Sequence, residues 1–211
     1  MPGSPTTIPI QVSASPQFAE ILQQLGISLL VSTYQAGKLM VLRAQTGTLN
    51  IHCRDFTKIM GLTANRARIA LGTASQVREF YNMPELARKL EPQGQHDACY
   101  LPRNTHTTGD VDIHEMAWAG DELRFVNTRF SCLCTLDLIH SFVPRWRPYF
   151  VTALAAEDRC HLNGLAIVDG QPHYVTALGE TDSAQGWREN KANGGLLMEV
   201  NSNTILCKGL S

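Results

Sequence analysis

The 211-residue chain lacks a charge excess: 18 basic and 19 acidic side chains leave a formal net charge of −1. Binding along a phosphate backbone depends on surplus Lys and Arg, so nucleic acid is excluded as a main partner. The chain also lacks any apolar run near the roughly 20 residues that a membrane helix needs. Its first ten residues, Met-Pro-Gly-Ser-Pro-Thr-Thr-Ile-Pro-Ile, contain no basic stretch leading into an apolar one, which argues against a secretory signal. The resulting expectations are no membrane partner and a cytoplasmic location. Common cofactor signatures are missing too: there is no Walker phosphate loop, no dinucleotide glycine fingerprint after a strand and no Gly-x-Ser-x-Gly elbow. His114-Glu115 is followed by Met-Ala-Trp, so the His-Glu-x-x-His zinc pattern fails at its second histidine. Six cysteines are too few to staple a chain that is 44% hydrophobic, and reduced core thiols are expected. Cys132 and Cys134 fall on one face of an expected strand, without the second Cys/His pair that a structural zinc requires.

What the chain does have is one phrase written three times. Met60-Gly-Leu leads into Arg68-Ile-Ala-Leu-Gly-Thr, Glu115-Met-Ala into Glu122-Leu-Arg-Phe-Val-Asn, and Asn163-Gly-Leu into Pro172-His-Tyr-Val-Thr-Ala. Each reads as strand, turn, strand. The anchors lie 55 and then 48 residues apart, close to the period of four-stranded propeller blades. The spacing predicts an all-β fold, a β-propeller of antiparallel blades with about three to four blades in this chain. Propellers close with roughly 4–8 blades, so the ring is expected to be incomplete here, with self-association as a consequence. A β-sandwich also suits short strands and regular turns, but it does not require the same phrase to recur.

Residues 1–14, rich in Pro, Ser and Thr, are read as a flexible tail, and residues 15–211 as the partial propeller. Ser15 as N-cap, Pro16 at the first helical position, an apolar stripe of Phe18, Ile21, Leu22 and Leu25, and a stop at Gly26 predict one short N-terminal helix. A second helical stretch, Pro84 to Leu90, sits between the first two repeats.

Several long phrases carry a resemblance. Thr108-Gly-Asp-Val-Asp-Ile-His-Glu-Met-Ala-Trp, Phe125 to Asp137, Ser141 to Pro148, Glu157 to Ala166 and Gly186-Trp-Arg-Glu-Asn-Lys-Ala resemble an uncharacterised bacterial family of conserved hypothetical proteins with propeller-like repeats. The resemblance implies a pattern that continues past residue 211 and no established activity. A local phrase, His161-Leu-Asn-Gly-Leu-Ala, is similar to one in gluconolactonase-like six-bladed propellers, and this implies that Asn163 binds a divalent metal.

The expected site residues cluster at the repeat starts. Aligning the anchors puts Met60, Glu115 and Asn163 at one register. Glu115 and Asn163 are then oxygen donors for a divalent metal, Ca, Mg, Mn or Zn. His114 and His161 are the candidate bases, since imidazole titrates near neutral pH. Asp112 and Arg159 flank them. The polar loop 179–191 carries Trp187 and Arg188, residue types enriched at binding hot spots. Two functions follow: a module that binds a small ligand or a protein, or a metal-dependent hydrolase of lactonase type.

Overall fold

The computed structural model describes residues 12–210, and most of the tail expected over 1–14 lies outside them. Helix α1 spans Pro16–Leu25, with Pro at its first position and Gly26 at φ 60° closing it. The amides of Gly26 and Ile27 return to Gln23 and Leu22, the paired bonds of a left-handed glycine stop. Its buried residues are Ala19 and Leu22, while Ile21 and Leu25 are exposed. The buried face is thus rotated from the stripe read in the sequence. Strands β1 (Ser28–Thr33), β2 (Lys38–Gln45) and β3 (Thr48–Asp55) form a three-stranded sheet in chain order.

The described chain divides into two compact units, residues 12–31 with 39–54, and residues 32–38 with 55–210. The second unit holds three four-stranded antiparallel blades. Blade I contains β4 (Leu62–Ala64), β5 (Arg68–Gly72), β6 (Gln76–Asn82) and β7 (Tyr100–Thr107). Blade II contains β8 (Ile113–Ala119), β9 (Glu122–Asn127), β10 (Cys132–Thr135) and β11 (Val143–Trp146). Blade III contains β12 (Leu162–Val168), β13 (Gln171–Ala177), β14 (Gly195–Glu199) and β15 (Thr204–Leu210). Each is an up-and-down meander in chain order, and β8 packs beside β4 and β12, so the first strands line up from blade to blade in a propeller arrangement. The short helix α2 (Pro84–Ala87) lies between β6 and β7.

Blade II is apolar on both faces, and the pleat explains its sequence. Side chains alternate across a strand, so Phe125, Cys132 and Cys134 join a core with Ala70 and Val77 of blade I. Their neighbours Val126 and Leu133 join a core with Leu162, Val175 and Met198 of blade III. All four residues of β10 are consequently buried. The Cys132 and Cys134 sulfurs touch at 3.4 Å, and this contact, together with burial, pushes the Cys132 thiol up. Burial pushes Cys160 up to about 12. All six cysteines are free, and these three are packing residues rather than reactive thiols. Gly61 and Gly72 let blade I approach closely, because a Cβ at either would meet Ile113 Cγ2 at 2.7 or 2.8 Å.

Candidate functional site

Strand pairing fixes the true register of the repeats. Leu62 faces Leu71, Met116 faces Phe125 and Leu165 faces Val175. Counting back from these pairs aligns Met60 with His114 and Asn163, and Gly61 with Glu115 and Gly164. The sequence alignment was therefore off by one residue in blade II, and Glu115 does not share a register with Asn163. The cause is local: pairing is irregular between Ile113 and Met116 and again between Leu162 and Leu165. The residue before each anchor, Ile59, Ile113 or Leu162, is buried. One residue earlier again, Lys58, Asp112 and His161 have φ of 50°, 53° and 50°.

A second left-handed position precedes two of these. It is Gly109 (φ 72°) before blade II and Asp158 (φ 49°) before blade III. Glycine takes this conformation without strain, whereas other residues enter it at a cost of about 1–2 kcal/mol, least unfavourably for Asn and Asp. Blade III therefore carries a side chain where the preceding repeat has none.

That side chain has two partners. Asp158 lies 3.1 and 3.0 Å, through its two carboxylate oxygens, from His161 Nδ1, and Trp187 Nε1 donates to its Oδ2 at 3.0 Å. The His161 ring packs on Trp187 with centroids 4.4 Å apart and meets His114 edge-on at 4.8 Å. His114 stands between Asp112, Nε2 to Oδ2 at 3.4 Å, and Asn163, Nδ1 to Oδ1 at 3.3 Å. The hydrogen bond to His114 holds the Asp112 carboxyl below the ordinary carboxylate range, against the effect of burial, with the charges of His114, His161 and Arg129 adding to it. The structure thus joins two groups of residues that the sequence placed apart, the repeat starts and the 179–191 loop.

The scaffold behind the cluster is blade II's β9–β10 turn. Arg129 O accepts the Asp158 amide at 2.8 Å, Thr128 Oγ1 donates to Leu162 O at 2.7 Å, and Ser131 Oγ accepts the Cys160 amide at 3.4 Å. Thr128 and Ser131 are buried, so these bonds are shielded from water and hold the left-handed segment in place.

Other expected site residues take different places. Trp187 is only 4% exposed, so its ring supports Asp158 and His161 instead of offering a face to a partner. Arg188 lies over that ring at 4.3 Å. Arg159 is committed to Glu157 and Asp182, at 2.9 and 2.7 Å. Asp182 also accepts the amide and hydroxyl of Thr152, and Thr181 Oγ1 donates to Arg159 O. Arg159 is therefore a clamp between the 179–191 loop and the lead-in to β12. Glu115 accepts the Met116 amide at 3.0 Å, and burial pushes its carboxyl up, opposed by that bond. Glu115 and Asn163, expected as a metal-ligand pair at one register, stand one register apart: Glu115 corresponds to Gly164 and Asn163 to His114. Among the described residues no three His, Cys, Asp or Glu side chains group as a metal-holding set.

Sequence reasoning missed the role of Asp158. The available signal was the apolar residue before each anchor, which gives the correct register and exposes Asp158 opposite Gly109. An open concavity of ≈ 580 Å³ lies on the outer strand β15, lined by Tyr149, Asn203 and Lys208 among others. Two of its polar groups are already taken up by one carboxylate: Tyr149 donates to Glu180 at 2.5 Å and Lys208 binds the same side chain. The histidine cluster, which keeps uncommitted polar atoms, is the stronger candidate.

Over residues 16–211 the chain matches the family described as Domain of unknown function (DUF4915). The chain belongs to that family. No curated protein matches it. Its fold is a propeller arrangement, and no described helix is long and apolar enough to cross a membrane.

Proposed function

We propose that the protein is a binding module whose site is the His114–His161 cluster between blades II and III, and that its ligand is small, neutral and rich in hydroxyl groups. The observation that carries this reading is the edge contact of the two histidines with their uncommitted atoms around it. Asp112 Oδ1 and His161 Nε2 are free to accept and Asn163 Nδ2 is free to donate, among the described residues. Hydroxyl groups both donate and accept, so they match such a mixed set. Charge argues against an anion: Asp112 and Asp158 line the cluster, while Arg129 is paired with Asp110 and Arg159 with Glu157 and Asp182. The buried Trp187 provides no open aromatic face for an organic cation.

The test is thermal unfolding against a panel of hexoses, pentoses, inositols and sugar lactones. A ligand at a hundred times its Kd adds about 2.7 kcal/mol, or roughly 5–10 °C in Tm for a chain of this size. The shift is expected to vanish in Asp112→Asn and His161→Gln. No shift across the panel, or a shift that both variants keep, contradicts the proposal. The lactonase-type alternative needs a metal, and a comparable Tm rise with Ca²⁺, Mg²⁺, Mn²⁺ or Zn²⁺ alone would favour it.

A further inference from the structure

We infer that His161 is the proton acceptor of this site and that Asp158 and Trp187 are positioning residues that make it so. The inference deepens the binding reading above and rests on it for the identity of the proton donor, a ligand hydroxyl or a water beside it. A carboxylate only accepts, so the Asp158 contacts at 3.0 and 3.1 Å require the proton of neutral His161 to sit on Nδ1. Nε2 is then a bare lone pair with no hydrogen-bond partner among the described residues. An orienting partner on one imidazole nitrogen sets what the other can do.

Three further observations point the same way. Asp158 occupies a left-handed position that glycine fills in the preceding repeat, so its side chain is present against the backbone's preference. Trp187 Nε1 donates to the Oδ2 oxygen at 3.0 Å and stops the carboxylate from turning away. His161 is itself left-handed, and its side chain remains 16% exposed, so it is reachable. His114 differs, since both its ring nitrogens face side-chain partners. In the transfer step the O–H bond of the hydroxyl or water breaks, its electron pair stays on oxygen, and an N–H bond forms at Nε2. The imidazolium charge then lies against the Asp158 carboxylate at 3.0 and 3.1 Å.

The experiment uses the full chain labelled with ¹⁵N-histidine and needs no ligand. Two-bond ¹H–¹⁵N spectra report the tautomer, and diethyl pyrocarbonate, read by peptide mass mapping, reports the reactivity of Nε2. Wild-type His161 is expected as the Nδ1–H tautomer and to be carbethoxylated. Asp158→Asn should shift it toward the Nε2–H tautomer and slow its labelling about tenfold, the usual scale for loss of an orienting partner. Trp187→Phe removes only the indole donor and should slow labelling by a smaller factor, while the exposed His52 reacts equally in all three proteins. An Nε2–H tautomer in the wild type, or equal His161 labelling across the variants, would overturn the inference. A failed ligand panel with the Nδ1–H tautomer intact would instead remove the binding reading and leave His161 as an oriented base.

Discussion

The chain enters β4 through Lys58, Ile59 and Met60, and enters β12 through His161, Leu162 and Asn163. In both, the first residue is left-handed and the second is fully buried. The difference lies in what the backbone presents. Before β4 the third position is Met60, whose amide donates to Gly72 O at 3.2 Å and whose carbonyl accepts from Ser32 Oγ at 2.7 Å, so only its backbone is engaged by hydrogen bonds. At the start of β12 it is Asn163, in contact with His114, while His161 meets Asp158 and Trp187. One backbone solution is thus repeated to build blades, and at one junction it is loaded with titratable side chains. Recurrence explains the left-handed turn; it does not explain the cluster.

The largest expected effect tests the shared part. Ile59 and Leu162 occupy equivalent fully buried positions, so Ile59→Ala and Leu162→Ala should each cost about 2–5 kcal/mol in denaturant unfolding. A cost well below that range at one position only would break the equivalence of the two blades. The left-handed positions separate the two regions more sharply. Lys58→Gly relieves backbone strain and should stabilise by about 0.5–1 kcal/mol. Asp158→Gly relieves the same kind of strain but strands the Trp187 and His161 donors, and a net loss of about 1–2 kcal/mol is expected. A gain at Asp158 matching that at Lys58 would mean the carboxylate contributes nothing.

The smallest effect concerns Glu115, the blade II counterpart of Gly61 and Gly164. Its carboxyl titrates above the ordinary value because burial disfavours the charge. Its contribution to stability is therefore full while it is protonated and is lost as pH rises through the raised value. Glu115→Gln should raise Tm at pH 7 by about 1 °C, with the gain shrinking toward pH 4. A gain that grows on acidification would show the opposite shift.

Much of the fold was legible because blades are written in local code. Turn glycines at Gly120 and Gly170, both at positive φ, closed hairpins where the sequence placed them, and the Pro16 start and Gly26 stop of α1 were read correctly. The site was less legible for two physical reasons. The left-handed turns before the first strands are filled by Lys58, Asp112 and His161, none of which announces a turn as glycine does, and the following strand irregularity hid the register by one residue. The 179–191 loop looked like an exposed recognition loop because of its polar composition. Two of its polar residues, Asp182 and Thr181, instead clamp Arg159, and Trp187 is folded inward while residues 188–191 stay exposed.

The most direct test of the central claim, that Asp158 is retained in a strained conformation to hold His161 and Trp187 together, is a double-mutant cycle in equilibrium unfolding between Asp158→Gly and Trp187→Phe. Residues in one hydrogen-bond network couple by about 0.5–3 kcal/mol, and independent ones add within about 0.3–0.5 kcal/mol. The structure predicts coupling near 1 kcal/mol, with Trp187→Phe nearly harmless once the carboxylate is gone. Strict additivity would mean that Asp158 and Trp187 do not act together and that the cluster is a product of the turn alone.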